Sequence, residues 1–455
     1  MSRAIDIVVL AAGRGSRMRS AKPKVLHPLA GQPMIEHVLA ATQGFDNANT
    51  VVVSGHGAEQ LEAALADYSV TYARQQQQRG TADAVATALD QLRDESVVLV
   101  LYGDVPLIEA ETLRNLVAQV NSEQMALLTV TLEKPDGYGR ILRTSGAAVM
   151  GIVEHKDATT QQRQIQEVNT GVMALESTLL RQLLPRIGCN NAQGEYYLTD
   201  LIQLAVNDGI SIAVTQPKTA SEVEGVNDRI QLARLERIYQ RRQAGVLLEA
   251  GATLVDPDRF DQRGTVTVGE DVFIDINVLF EGNNQIGSNV VIGPHCHLID
   301  AVIGDNVILK SHTIIEQSEI GAGCVVGPFA RLRPGTQLAE DCKVGNFVET
   351  KKAALGSGSK INHLSYVGDA ILGSGVNVGA GTITCNYDGV NKHQTIIGDG
   401  AFIGSNSALV APVNIGAGAT VGAGSTIVRN VDADKLALTR AKQMTVPGWK
   451  KPIKQ

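Results

Sequence analysis

At 455 residues with 44% apolar content, the chain is long enough for two or more domains. Its formal net charge of −7 and pI near 5.8 argue against nucleic acid as the main partner, and no run approaches 18 uninterrupted apolar residues, so no stable membrane insertion is expected. The five cysteines are odd in number and lack the spacing of a zinc site, which reads as reduced thiols in a cytoplasmic protein.

The apolar run Ile7 to Ala12 is too short, and too soon followed by Arg14 and Arg17, for a secretory signal; it reads as a buried first strand. From there to about residue 226, strand-like and helix-like runs alternate. Ile5 to Leu10, Thr50 to Ser54, Ser96 to Tyr102 and Ala126 to Leu132 are β-rich. Pro33 to Gln43, Ala58 to Ala66, Ala82 to Leu92 and Glu111 to Val120 have helical spacing. Such alternation implies a mostly parallel, Rossmann-like α/β sheet with ligands at the carboxyl ends of its strands. The first strand runs into Leu10-Ala11-Ala12-Gly13-Arg14-Gly15-Ser16-Arg17-Met18, followed by Pro23-Lys24. Glycines after a buried strand let backbone N–H groups approach a phosphate, and Arg17 and Lys24 add fixed positive charge. Met18 replaces the third glycine of a dinucleotide fingerprint, and the Lys-Ser/Thr of a P-loop is missing.

Residues 227–250 read as a charged connecting helix, with Asn227 as its natural N-cap and Ile230, Ala233, Ile238 and Leu248 set among arginines. Beyond it, aliphatic residues recur every six positions, each usually followed by a small or acidic one: Val268-Gly269, Ile274-Asp275, Ile286-Gly287, Ile292-Gly293. The register drops by one at Ile303-Gly304 and then continues to Ile427. A period of six fits neither helix nor simple strand and signals a solenoid whose hexapeptides are short strands joined by corners. The glycine count agrees, since 27 of 46 lie in residues 251–430. Three hexapeptides per turn give about ten coils and a rod roughly 45 to 50 Å long. The largest break is the polar stretch Asn386 to Thr395, with a turn at Asp388-Gly389. Lys351, His363, Tyr366 and this loop lie about one coil apart along the sequence.

The glycine-rich loop and Pro23-Lys24 resemble the signature of sugar-1-phosphate nucleotidyltransferases. Gly80-Thr81, Tyr102-Gly103-Asp104, Gly137-Tyr138-Gly139-Arg140, Glu154, Asn169-Thr170-Gly171 and Glu195 to Asp200 extend the match. With the hexapeptide array, Gly379-Ala380-Gly381-Thr382 and Cys385 to Gly389, the whole chain resembles a bacterial bifunctional family. Its members combine N-acetylglucosamine-1-phosphate uridyltransferase and glucosamine-1-phosphate N-acetyltransferase activities.

The resemblance implies a nucleotidyltransferase domain (1–226), a linker helix (227–250) and a left-handed parallel β-helix with a C-terminal tail (251–455), assembled as a cytoplasmic homotrimer. It implies UTP and sugar-nucleotide binding by Leu10, Ala11, Ala12, Gly13, Arg17, Lys24, Gln75, Gly80, Thr81, Tyr102, Gly103, Asp104, Gly139, Glu154, Asn169 and Asn227. The run Gln75 to Gln78 leaves open which glutamine touches uracil. Asp104 and Asn227 would hold Mg²⁺; without the resemblance, Asp104 reads equally well as a helix N-cap. In the second half His363 would be the catalytic base, with Glu349 as an orienting partner. Arg333, Lys351, Tyr366 and Asn377 would bind glucosamine 1-phosphate, and Ala380, Asn386, Tyr387, Ser405, Ala423 and Arg440 acetyl-CoA. The product, UDP-N-acetylglucosamine, would feed peptidoglycan and lipopolysaccharide synthesis. A monofunctional nucleotidyltransferase with a structural β-helix is the alternative, and it leaves His363, Lys351 and the Asn386-Tyr387 loop without roles.

Overall fold

A computed structural model describes residues 3–454. They form two compact units, one up to Tyr239 and one from Gln240 onward, and the helix Arg229–Glu249 contains the division.

In the first unit Ile5–Leu10 is buried along its whole length; five of its residues are aliphatic, and the sixth, Asp6, is held by Arg93 at 2.9 Å and the Ser96 hydroxyl at 2.6 Å. Parallel pairing sets Leu10 level with Tyr102 on one side and Val53 on the other, so the loops leaving these three strands open on the same edge. The sheet is mixed where the alternating pattern implied a mostly parallel one. Glu167–Glu176 runs antiparallel to both its neighbours, and the hairpin of Arg140–Arg143 and Val149–Val153 attaches beside it. Alternation presumes a helical crossover between strands, whereas this strand returns by way of a hairpin. Its register slips between Asn169 and Met173, a bulge that re-aims the side chains there. Gly171 lies in it with φ of 87°, and a Cβ would sit 2.5 Å from the Tyr102 ring.

The helices Met34–Ala41, Ala58–Ala64 and Ala110–Ala118 fall where the periodicity put them. The span Ala82 to Leu92 instead breaks into Thr81–Ala86 and the single turn Leu89–Gln91. Thr87 at the break turns its hydroxyl back onto the Ala84 carbonyl, 2.7 Å away. The cap expected of Asn227 falls to Asp228, whose Oδ1 accepts from the amides of Ile230 and Gln231 at 2.9 Å each. Asn227 is occupied elsewhere, as described below. Asp104 caps no helix, since the next one begins at Ala110. Along Arg229–Glu249 the buried face also differs from expectation. Leu235 is buried within the first unit, while Ile230 is 82% exposed.

The second unit is a parallel β-helix. Through the middle of the rod a coil returns in register 17 or 18 residues later: Leu279 pairs with His297, His297 with Ile314, Arg331 with Glu349 and Glu349 with Tyr366. The coil from Ile383 to Ala408 takes 25, because the loop after Cys385 leaves the rod before rejoining it at Thr395. Inward aliphatics such as Ile292, Leu309, Val326, Val344, Ile361, Val378 and Ile403 stack into one continuous core. The repeat glycine serves the close approach of successive coils. At Gly345, a Cβ would lie 1.9 Å from the Asn362 carbonyl oxygen of the next coil.

Candidate active sites

In the first unit, two adjoining cavities of about 250 and 300 Å³ open beside the carboxyl ends of Ile5–Leu10 and Val97–Tyr102 and share Tyr102 and Asp104. Leu10 to Gly13, Lys24, Gln75, Gly80 and Thr81 line the smaller; Arg17, Tyr138, Thr170 and Asn227 line the larger. Gly103 backs the floor, donating its amide to the Leu10 carbonyl at 3.0 Å.

Charged groups meet where the cavities join. The Lys24 ammonium donates to the Asp104 carboxylate and reaches Asn227 Oδ1 at 3.4 Å, while Arg17 Nη2 donates to the same amide oxygen at 2.9 Å. Two oxygen ligands, one charged and one neutral, thus converge on one cationic group. Alongside, Asn169 donates its amide to the Gly139 carbonyl at 2.9 Å. A Cβ on Gly139 would stand 3.3 Å from both Glu154 carboxylate oxygens, so the Gly139 backbone and Glu154 are neighbours. Burial raises the Glu154 pKa, and Asp157 and Asp200 push it further, against a hydrogen bond from the Thr199 hydroxyl at 3.0 Å. Burial likewise raises the Tyr102 pKa and keeps the phenol a neutral donor. Gly80 has φ of 126°, and a Cβ there would meet the Tyr196 carbonyl oxygen at 2.4 Å. Tyr196 accepts from Ala82 and donates to Arg79, which ties the stretch Glu195 to Asp200 to the Gly80-Thr81 turn.

In the second unit, the register places five residues on one corner of successive coils. Asn346 pairs with His363, and two residues beyond the pairs Ile361–Val378, Val378–Ile403 and Ile403–Val421 stand His363, Ala380, Ser405 and Ala423. Asn377 lies three residues before Ala380, and the Arg440 side chain reaches the end of the column, its Cδ 3.7 Å from where a Gly424 Cβ would be. His363 is exposed, and its Nδ1 hydrogen-bonds Asn346 Oδ1 at 2.8 Å. On the adjoining face Arg333, Lys351, Tyr366 and Asn386 group together. Asn386 Nδ2 donates to Asp369 and approaches the Tyr366 hydroxyl at 3.4 Å. Lys392, and more weakly Arg333, lower the Lys351 pKa by like-charge repulsion, the mark of a cationic cluster. The loop beyond Asn386 is held by Asp388, whose carboxylate accepts from Val390, Asn391 and His393 and is driven well below the usual carboxylate range. Tyr387 is exposed and bonds within its own loop, to the Gly389 carbonyl.

The family described as the MobA-like NTP transferase domain matches residues 7–171. The GMPPB C-terminal domain matches 262–348, and six bacterial transferase hexapeptide repeats match 394–429. Over the full length, the chain is 56% identical to the bifunctional protein GlmU of Marinobacter nauticus, covering 99% of both chains. It is 58% identical to that of Cellvibrio japonicus and 54% to that of Stutzerimonas stutzeri, each over 99% of this chain and 100% of the relative. The chain belongs to the GlmU family.

Within that family frame, one expected pairing is overturned. Glu349 does not orient His363: it accepts from Arg333 at 2.8 Å, and the residue beside His363 is Asn346. Sequence reasoning missed Asn346, Asp369 and Lys392. The 17-residue coil was the available signal for the first, since Asn346 stands one coil before His363. The same spacing marks Asp369, which stands 17 residues before Asn386, whereas no comparable signal marks Lys392, which reaches the cluster through the loop. Of the run Gln75 to Gln78, Gln75 and Gln78 line the smaller cavity.

Proposed function

We propose that this protein makes UDP-N-acetylglucosamine in two steps, one in each compact unit. The β-helix unit transfers acetyl from acetyl-CoA to the amine of glucosamine 1-phosphate, releasing CoA. The first unit then joins N-acetylglucosamine 1-phosphate to UTP, releasing pyrophosphate. The carrying observation is whole-length identity above half to bifunctional relatives, in a chain that retains a polar constellation in each unit.

For acetyl transfer, an amine nucleophile must lose a proton, and a histidine base contributes roughly 10²- to 10⁴-fold. The Nδ1 hydrogen bond to Asn346 Oδ1 makes Nδ1 the protonated nitrogen and leaves the Nε2 lone pair as the base. Arg333 and Lys351 neutralise the sugar phosphate, with Tyr366 and Asn377 beside them. Ala380, Ser405, Ala423 and Arg440 form a corner of small side chains ending in a cation, which suits the narrow arm and phosphates of acetyl-CoA; Asn386 and Tyr387 close over the acetyl end.

For uridylyl transfer, the sugar-phosphate oxygen attacks the α-phosphorus in line, and catalysis is positioning plus charge neutralisation. Arg17 and Lys24 bind the triphosphate, Glu154, Asn169 and the Gly139 backbone the sugar, and Gln75 with the Gly80-Thr81 turn the base. Asp104 and Asn227 suit Mg²⁺, a hard cation that takes one or two protein oxygens and completes its shell with phosphate and water. That both oxygens already meet the Lys24 ammonium supports the fit. Mg²⁺ supplies charge neutralisation at the phosphates when bound. A cytoplasmic homotrimer is the assembly this reading carries, with the exposed tail around Trp449 as an arm onto a neighbour.

The test is a pair of assays on wild type and His363→Ala: CoA release with glucosamine 1-phosphate, and pyrophosphate release with N-acetylglucosamine 1-phosphate. CoA release should fall roughly 10²- to 10⁴-fold with pyrophosphate release intact. A wild type that never releases CoA would return the β-helix to a structural role.

A further inference from the structure

We propose that Asp83 is a positioning residue that sets which nucleobase the first unit accepts, an inference that rests on the uridylyl-transfer reading above. Gln75 is buried, and its Nε2 gives hydrogens in two directions, to the Gly80 carbonyl at 3.1 Å and to Asp83 Oδ2 at 2.8 Å. Asp83 is itself clamped, because the Arg79 guanidinium donates to Oδ1 from Nε at 3.1 Å and from Nη2 at 2.6 Å.

A primary amide has two donor hydrogens and one acceptor oxygen. With both N–H groups committed, Gln75 has only its oxygen left for a ligand in the cavity it lines. Gln78, on the same cavity, commits its own Nε2 to the Ala12 carbonyl at 2.7 Å. Uracil presents an N3–H, which pairs with an acceptor; cytosine presents a bare N3 lone pair, which repels one. Turning the Gln75 amide over to suit cytosine would bring its oxygen against the Asp83 carboxylate and the Gly80 carbonyl, three acceptors with no proton among them. The cleft therefore selects a pyrimidine nucleotide with an imide N–H, and Asp83 enforces the selection without touching the base.

Asp83→Asn tests this, because the Arg79 fork decides how the new amide lies. Arg79 still requires an acceptor, so the oxygen of the new amide faces Arg79 and its NH₂ group faces Gln75. Two donors then oppose each other in the original pose, while the turned-over amide opposes only the Gly80 carbonyl, so Gln75 loses its fixed orientation and can offer N–H to the base. The ratio of kcat/KM for UTP to that for CTP, read by pyrophosphate release, should fall about tenfold or more, the scale of one buried polar mismatch. Equilibrium titration with each nucleotide should show the same change in preference without relying on turnover. Asp83→Glu keeps the acceptor and should hold the wild-type ratio. Adding Arg79→Ala to Asp83→Asn frees the new amide to rotate and should restore part of the preference for UTP. An Asp83→Asn protein weakened equally toward UTP and CTP, with the ratio unchanged, overturns the inference while leaving uridylyl transfer standing. A wild type that releases no pyrophosphate from UTP removes the underlying reading and this inference with it.

Discussion

The charged pairs at the two sites differ in how far water reaches them. In the first unit the Lys24 and Asp104 side chains are only 15% and 17% exposed, whereas Arg333 and Glu349 in the β-helix are 33% and 39% exposed. Charges in a cleft interact through less water and are costly to leave unmatched; the same charges on a rod face can be resolvated. Removing one partner should therefore disturb the first site as a whole and the second only locally.

Asp104→Asn should break the first site most severely. It strands the Lys24 ammonium without its carboxylate and weakens the oxygen pair offered to Mg²⁺. Pyrophosphate release should drop by about 10²- to 10³-fold, with CoA release unaltered. A drop below tenfold would mean that the enclosed pair matters no more than an exposed one.

Asn346→Ala sharpens the other side of the comparison. Loss of the oxygen that holds Nδ1–H leaves the His363 ring free to rotate and to change tautomer. We expect kcat for CoA release to fall about tenfold, within the range seen when a partner that orients a histidine is lost. KM for acetyl-CoA should not move, and Asn346→Asp, which keeps an acceptor, should recover most of the loss. Equal losses in both replacements would assign Asn346 to the coil rather than to the base.

These differences also explain what could be read in advance. The β-helix was legible because its constraint is local: an inward aliphatic every sixth residue writes Ile292 or Val344 into the sequence directly. The coil length was less so, since a 17-residue coil and an 18-residue coil differ by one corner residue, and that single residue decides whether Asn346 or Gly345 stands level with His363; Glu349, 14 residues before it, is level with Tyr366 instead. In the first unit the phosphate loop was legible from Gly13 to Lys24, because chemistry there demands residue types at short spacing. Asn227 illustrates the limit. As an amide just before a helix it looks like a cap, yet Arg17 and Lys24, about two hundred residues away, claim its oxygen and leave the cap to Asp228. The antiparallel return of Glu167–Glu176 was equally hidden, since strand direction depends on the connection and not on the apolar pattern.

The smallest effect concerns Glu154, where the enclosed site acts on stability. Burial raises its pKa, so the folded chain holds this proton more tightly than the unfolded chain does. Between the ordinary glutamate pKa and the raised one the folded state binds more protons, and the group's contribution to stability falls as pH rises through that window. Above the window the buried carboxylate remains a standing cost. Glu154→Gln removes the titration while keeping an oxygen for the Thr199 hydroxyl. In thermal unfolding of the full chain, the variant should equal wild type at acid pH within the folded range, exceed it increasingly as pH rises through that window and keep a constant lead above it, while KM for N-acetylglucosamine 1-phosphate rises. A gap that stays constant with pH would show that Glu154 is solvated after all, and that the cleft is more open to water than its Lys24–Asp104 pair.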